Sequence, residues 1–278
     1  MVLFSLTILV PLMHIIARSL SDPSVSSGMS GLSVIPRKLN LINYRIVLSN
    51  PVLVPSIWNS AFITVTGTLL NMLLTTSAAY ALTRPGLAGK PLIMGFLVVM
   101  MLIDPGLVPE YLVVKDVGLM GSQWSVILAL AVNVYYVIIL MRYFEDVPQS
   151  IFEAARIDGA GHWRTLFGIA IPLAKVGIAT ITMFYAVWRW NEFVRTGIYI
   201  SSISKTTLQV VLRKFAVLGD TASIIGHQNV LNYNEMARTD YTALQYAAIV
   251  ISLIPILCIY PPVLRYFQAG VLTGGIKE

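Results

Sequence analysis

The residues that could do chemistry in this 278-residue chain are few and far apart. His14, His162 and His227 have no spacing that would gather them round a metal ion, and the single cysteine, Cys258, can form no internal disulfide. None of them sits with a partner in a nucleophile-and-base constellation, which argues against an intramembrane enzyme. The stretch GLAGKP from Gly86 lacks the spacing and the hydroxyl of a phosphate-binding loop, so the chain is not expected to hydrolyse ATP itself. What remains is charge in unexpected places. One cluster is WRWNEF, with Arg189 and Glu192; the other is EAARIDGAGHWR, from Glu153 to Arg164.

The elements that hold these residues are apolar. The chain is 56% hydrophobic and 12% charged, with a mean hydropathy of +0.77, against roughly 25% charged residues in soluble domains. A hydrocarbon core of ~30 Å needs about 20 apolar residues per crossing. Six stretches qualify: Val2–Ala17, Ser56–Leu82, Pro91–Pro109, Trp124–Met141, Lys175 toward Tyr199, and Tyr241–Leu264. Each should be helical, because a segment in lipid must satisfy its own backbone. The expectation is an all-α membrane protein of one domain over residues 1–278. The first stretch reads as a retained helix rather than a signal peptide, having neither a positive leader nor a clear cleavage site; its cytoplasmic flank looks trimmed. The formal charge of +6 suits loops beside anionic headgroups, and no basic-aromatic stripe points to nucleic acid.

Six crossings place both termini on one side, and Arg84 and Lys90, without acidic neighbours, favour the cytoplasm for it. Two long polar loops, residues 18–52 and 200–240, then face outside, and a tail, residues 266–278, faces inside.

The charged segment within residues 146–172 interrupts the apolar pattern. Pro148 suits a helix start, QSIFEAARID has good helix formers, and Gly159 follows as a left-handed terminator. Ile151, Ala154, Ala155 and Asp158 fall on one face at helical spacing, where two alanines would leave a smooth surface for another backbone. A second helix begins near His162 and runs into IAIP at Pro172. Taken alone, the pattern fits either a docking helix or an interfacial helix with snorkelling charges.

The segment resembles the EAA signature of the membrane subunits of ATP-binding-cassette importers: E-A-A, three residues, Gly, nine residues, I-x-L-P. Glu153, Ala154, Ala155, Gly159, Ile169 and Pro172 match it, and Ile171 stands where the family usually has Leu. AAYALTRPGLAGK, ILMRYFEDVPQS, WRWNEF and YFQAGVLTGGIKE extend the resemblance to the carbohydrate-uptake, maltose-type branch, within a subgroup serving oligosaccharides from complex polysaccharides. The resemblance implies a type I permease fold of six transmembrane helices with a cytoplasmic coupling helix, in a bacterial inner membrane. It implies coupling roles for Glu153, Ala154, Ala155, Asp158 and Gly159, and an ATPase contact for Thr273, Gly274, Gly275 and Lys277 of the tail. It implies a second related permease, two ATPase subunits that bind ATP and Mg, and an extracytoplasmic sugar-binding protein; this chain itself would hold no cofactor. With no engine of its own, the chain would borrow motion through the turn ending at Gly159. Gly159→Pro, or bulk at Ala155, is then expected to break the link while leaving folding intact.

Charge inside a membrane helix usually faces protein or a cavity. Arg189 and Glu192, three apart, could pair; Trp188 and Trp190 could stack on sugar rings and Asn191 bind hydroxyls; the alternative is an aromatic belt with a structural ion pair. Asn133 and Tyr136 share a face that either lines the route or bonds to a neighbouring helix. Asn59 reads as structural, Asn71 polarises the second stretch, and Asp104-Pro105 breaks the third. An acidic cargo such as alginate would give Arg189 a natural role. The alternatives are a neutral-sugar or glycerol-phosphate-type cargo, or an ion-coupled secondary transporter, which would want an inverted repeat that is not visible here.

Overall fold

The computed structural model describes residues 2–31, 33–103, 105–217 and 240–274, with side chains undescribed at 2, 3, 216, 217, 259 and 262–274. Among the described residues there is no strand, only an isolated bridge between Ser21 and Leu39. The chain forms two compact units, residues 1–61 with 192–257 and residues 62–191 with 258–278.

The first unit gathers the ends of several apolar helices. Helix α1, Val2–Ser19, reaches Arg18 in its last turn. The short α2, Pro23–Ser26, and α3, Ile42–Leu48, follow. Arg18 clamps Asp240 through both carboxylate oxygens, at 2.8 and 2.9 Å, and Ser26 donates to the same carboxylate. The two long polar loops are therefore tied at their inner edges. Helix α4, Leu53–Thr83, begins here as well: Asn59 donates to the carbonyls of Ser204 and Thr206, and Ser60 accepts from the Leu208 amide. Asn59 is structural, as expected. Residues 218–239 of the second long polar loop lie outside the described residues.

Two loop carboxylates, Asp22 and Asp240, are held below their ordinary range. The Ser24 hydroxyl, Asn40 and the Ser24 amide lower Asp22 to about 2. Burial pushes Asp240 up, but Arg18 and Ser26 outweigh it and the net shift is downward. A depressed carboxylate contributes its full stability above the unfolded value of about 4, and loses it as pH falls through the folded value. Protection of residues 20–40 from hydrogen exchange, corrected for intrinsic rates, should hold at pH 5 and collapse toward about pH 2. Asp22→Asn should weaken it at pH 5 and flatten that dependence.

The second unit takes the rest of α4, then α5 (Lys90–Leu102), α6 (Leu107–Asp116), α7 (Gln123–Leu128), α8 (Val134–Glu145) and α9 (Gln149–Ile157). There follow α10 (His162–Thr165), a π-helical turn (Leu166–Ala170), α11 (Ile171–Leu173) and α12 (Lys175–Trp190). The third apolar stretch is thus two helices, broken where the sequence has Asp104-Pro105; Asp104 itself lies outside the described residues. The expected fourth span is also two helices, separated at residues 129–133 with Leu130 at φ 51°, a conformation unfavourable for a branched side chain. An 88° bend separates His162–Leu173 from α12. Beyond it, α13 (Val194–Tyr199), α14 (Leu208–Leu212) and the start of α15 (Tyr241–Gly274) return the chain to the first unit.

Among the described residues two helices are long and apolar enough to cross a membrane, Leu53–Thr83 and Tyr241–Cys258, and up to four if each bent pair forms one span. Helix α5 buries none of its residues, and Leu92, Phe96 and Leu102 are each more than 60% exposed. Apolar surface on this scale is compatible with a hydrocarbon environment. The second unit's core joins Tyr80 and Leu82 of α4, Leu140, Met141 and Phe144 of α8, Phe152 of α9, and Leu166 and Ala170 of the π turn.

Candidate functional site

Helix α9 carries the EAA residues. Pro148 stands at its N-cap, and its end is a left-handed glycine turn: Gly159 has φ 76°, its amide donates to the Arg156 carbonyl, and the Ala160 amide reaches back to Ala155. The sequence-based stop at Gly159 therefore holds. Helix α9 is amphipathic in a particular way. Phe152 and Ala155, three apart, are buried, while Glu153, Ala154, Arg156, Asp158 and Gly159 are exposed. Ile157 is 86% exposed at the helix end.

This corrects one detail. Ala154 and Ala155 do not share an outer surface: Ala155 is 6% exposed because it belongs to the inward stripe with Phe152. Bulk at Ala155 would press into the unit's own packing, so folding would not be spared as expected. The outward knob is Ile157, which spacing alone does not distinguish from a core residue.

Phe152 ties the helix to the bundle. Its ring lies edge-on to Tyr80, which is itself edge-on to Phe144. The Arg84 guanidinium covers both rings, 3.8 Å from the Phe152 centroid and 4.5 Å from that of Tyr80. Burial pushes Arg84 down from its ordinary value. A desolvated cation–π contact is worth ~2 kcal/mol. Displacement of α9 would therefore be felt directly by the end of α4. Sequence reasoning passed over this stack; its only signal was an arginine directly after an apolar run, with Tyr80 one helical turn before it.

The polar residues expected along a route divide into two sets. Arg189 is 2% exposed and donates to the carbonyls of Val126, Ile127 and Ala129 and to Asn71 Oδ1. Those carbonyls are the free C-terminal end of α7, so the guanidinium caps a helix that stops inside the unit. Asn133 does the same for α8: its Oδ1 accepts from the Tyr135 and Tyr136 amides, while its own amide donates to Tyr185 Oη at 3.0 Å. Tyr185 is anchored in turn to Thr75 at 2.7 Å. Gly67 makes room for this clamp, since a Cβ there would lie 2.9 Å from Arg189 Nε.

Asn133 keeps an exposed surface, and Tyr136 and Trp188 are half-buried, Tyr136 edge-on to Tyr185 and Trp188 under the Arg189 guanidinium at 4.7 Å. Trp190 is buried, and Asn191 donates to the Val187 carbonyl of its own helix. In the first unit, Glu192 accepts from the Arg195 amide and guanidinium. Of the tail, Thr273 and Gly274 end α15; Gly275 and Lys277 lie outside the described residues. Among the described residues no three His, Cys, Asp or Glu gather into a metal site.

The described helices are largely apolar, and α9 turns a charged end and an exposed isoleucine, Ile157, outward. The chain belongs to the family described as binding-protein-dependent transport system inner membrane component, whose model matches residues 51–272. It is 35% identical over 275 residues to protein LplC of Bacillus subtilis (strain 168), covering 98% of this chain and 90% of the relative. It is 34% identical over 278 residues to the polygalacturonan/rhamnogalacturonan transport system permease protein YtcP of the same organism, covering 100% and 95%. Among solved structures, the crystal structure of a bacterial ABC transporter involved in the import of the acidic polysaccharide alginate matches with a TM-score of 0.88 at 29% identity, covering 95% of this chain and 92% of that one. The chain is a permease subunit of an ABC importer in the inner membrane, a non-catalytic component whose ATPase is a separate chain.

Proposed function

We propose that this permease moves oligosaccharides, acidic ones among them, into the cytoplasm, driven by an ATPase subunit seated on α9. The observation that carries the reading is the outward face of α9: Glu153, Ala154, Ile157, Asp158 and Gly159 exposed beside a Phe152 locked into the core. Closure of two ATPase subunits on nucleotide would push this face. The push would pass through Phe152, Arg84 and Tyr80 into α4, biasing a two-state bundle.

In this reading the chain crosses the membrane six times, with α9 and both termini in the cytoplasm. The two outer loops meet the extracytoplasmic binding protein, an arrangement supported by the Arg18–Asp240 tie between their edges. A second related permease completes the core, ATP and Mg reside on the ATPase pair, and the tail at Thr273, Gly274, Gly275 and Lys277 adds a further contact. Asn133, Tyr136 and Trp188 are the residues of this chain placed to meet cargo, since Arg189 serves the end of α7. Support for an acidic cargo comes from two similar proteins, one named for polygalacturonan and rhamnogalacturonan, the other an importer of alginate. The test is uptake by vesicles holding this chain with its partner subunits and binding protein. Oligogalacturonate should enter only with ATP, and faster than a neutral oligosaccharide of equal length. Uptake without ATP would overturn the ATPase reading; equal rates would overturn the acidic one.

A further inference from the structure

Two cavities of the second unit meet at Ser77 and Leu166. One, of about 530 Å³, is walled by Tyr80, Arg84, His162 and Trp163; the other, of about 290 Å³, runs past Leu69, Leu73, Phe167 and Ile171. Their walls are graded. The cationic and ring N–H groups stand only where α4 leaves its apolar run, while the far end is methyl and aromatic surface with three threonines, Thr68, Thr76 and Thr182.

Arg84 is the unusual group. One of its terminal nitrogens donates to Thr83 Oγ1, its plane rests on two rings, and its Nε is buried without a hydrogen-bond partner. A buried donor left unmet costs ~1–3 kcal/mol, so an acceptor at this point would be strongly favoured. The exposed His162 ring adds a second donor at the same cavity. Trp163, 66% exposed and stacked on Phe167 at 6.0 Å, is the kind of side chain that settles at headgroup depth. Residues 69 to 84, from mid-α4 to the residue just past its end, span about 22 Å at ~1.5 Å per residue. One leaflet's hydrocarbon is half of ~30 Å, so a headgroup plus one acyl chain fits that length.

We propose that an anionic phospholipid occupies this groove, its phosphate against Arg84 and His162 and an acyl chain along Leu69, Leu73, Phe167 and Ile171. The proposal needs only the membrane placement of the chain, whatever the cargo. Since the Arg84 guanidinium also rests on Phe152, the headgroup binds beside the point where α9 joins the bundle.

The test is native mass spectrometry of the transporter, purified in mild detergent with the subunits it carries. One anionic phospholipid per copy of this chain should survive delipidating washes. Exchange into phosphatidylcholine with and without phosphatidylglycerol should show at least about fivefold preference for the anionic lipid, the factor for one uncompensated basic contact. Ser77→Phe, at the junction of the cavities, should lower retention about tenfold or more, the loss expected when ~1.4 kcal/mol of binding is removed. Should that variant fail to assemble, His162→Gln, at an exposed position, should lower retention about threefold while purification yield is unchanged. Equal retention of the zwitterionic lipid, displacement by inorganic phosphate, or a Ser77→Cys cross-link to another polypeptide would each overturn the proposal.

Discussion

Replacing Arg189 by alanine should cost the second unit roughly 3 kcal/mol or more, because orphaned buried carbonyls cost ~1–3 kcal/mol each and this guanidinium serves three of them. At about 2–4 °C per kcal/mol for chains of this size, thermal unfolding of the purified transporter should fall by at least ~6 °C. Arg189→Lys should recover only part of the loss, since a single ammonium cannot fork between carbonyls and Asn71 Oδ1 as a planar guanidinium does. Gly67→Ala should fall between wild type and Arg189→Ala, because the new methyl meets Arg189 Nε. The readout is differential scanning fluorimetry together with membrane yield. An unchanged midpoint for Arg189→Ala would mean that the end of α7 does not depend on it.

Ile157→Asp should leave the permease folded and its yield intact, since the side chain is 86% exposed and touches no core. Substrate-stimulated ATP hydrolysis and uptake should nevertheless both fall at least about 30-fold, the equivalent of ~2 kcal/mol at a binding hot spot. Ala155→Phe is the contrasting variant: from its buried position it should lower yield and melting temperature as well as uptake. If Ile157→Asp retains uptake and ATPase co-purification at wild-type levels, α9 is not the docking surface.

Much of the architecture is legible in composition and spacing. The apolar runs give the helices, Gly159 marks the end of α9, and Asp104-Pro105 marks the break between α5 and α6. What stays hidden is where an apolar run fails to be one helix. Nothing in SVILALAVNVYYV announces that Leu130 leaves helical conformation; only the distant Arg189, Asn71 and Tyr185 make that break affordable in hydrogen bonds. The same long-range character hides the Arg84 stack, whose partners lie 4 and 68 positions away in sequence. Spacing also assigns Ala154 and Ala155 to one face, because a helix of nine residues shows too little periodicity to reveal which stripe points inward. Arg189 reads from sequence as a charge awaiting cargo or a carboxylate; the fold gives it carbonyl oxygens as well.

The interruption between α7 and α8 also bears on orientation in the plane of the bilayer. Leu130, Val132 and Asn133 are exposed around a stretch of irregular backbone. Fatty-acyl chains offer such a backbone no proton donor or acceptor, and irregular chain within a bilayer persists only against protein or in a water-filled space. In the six-crossing arrangement proposed above, the rotation of α7 and α8 about their own axes is thereby constrained: the side bearing Asn133 looks into a wet vestibule or onto a neighbouring subunit, not outward to the fatty annulus.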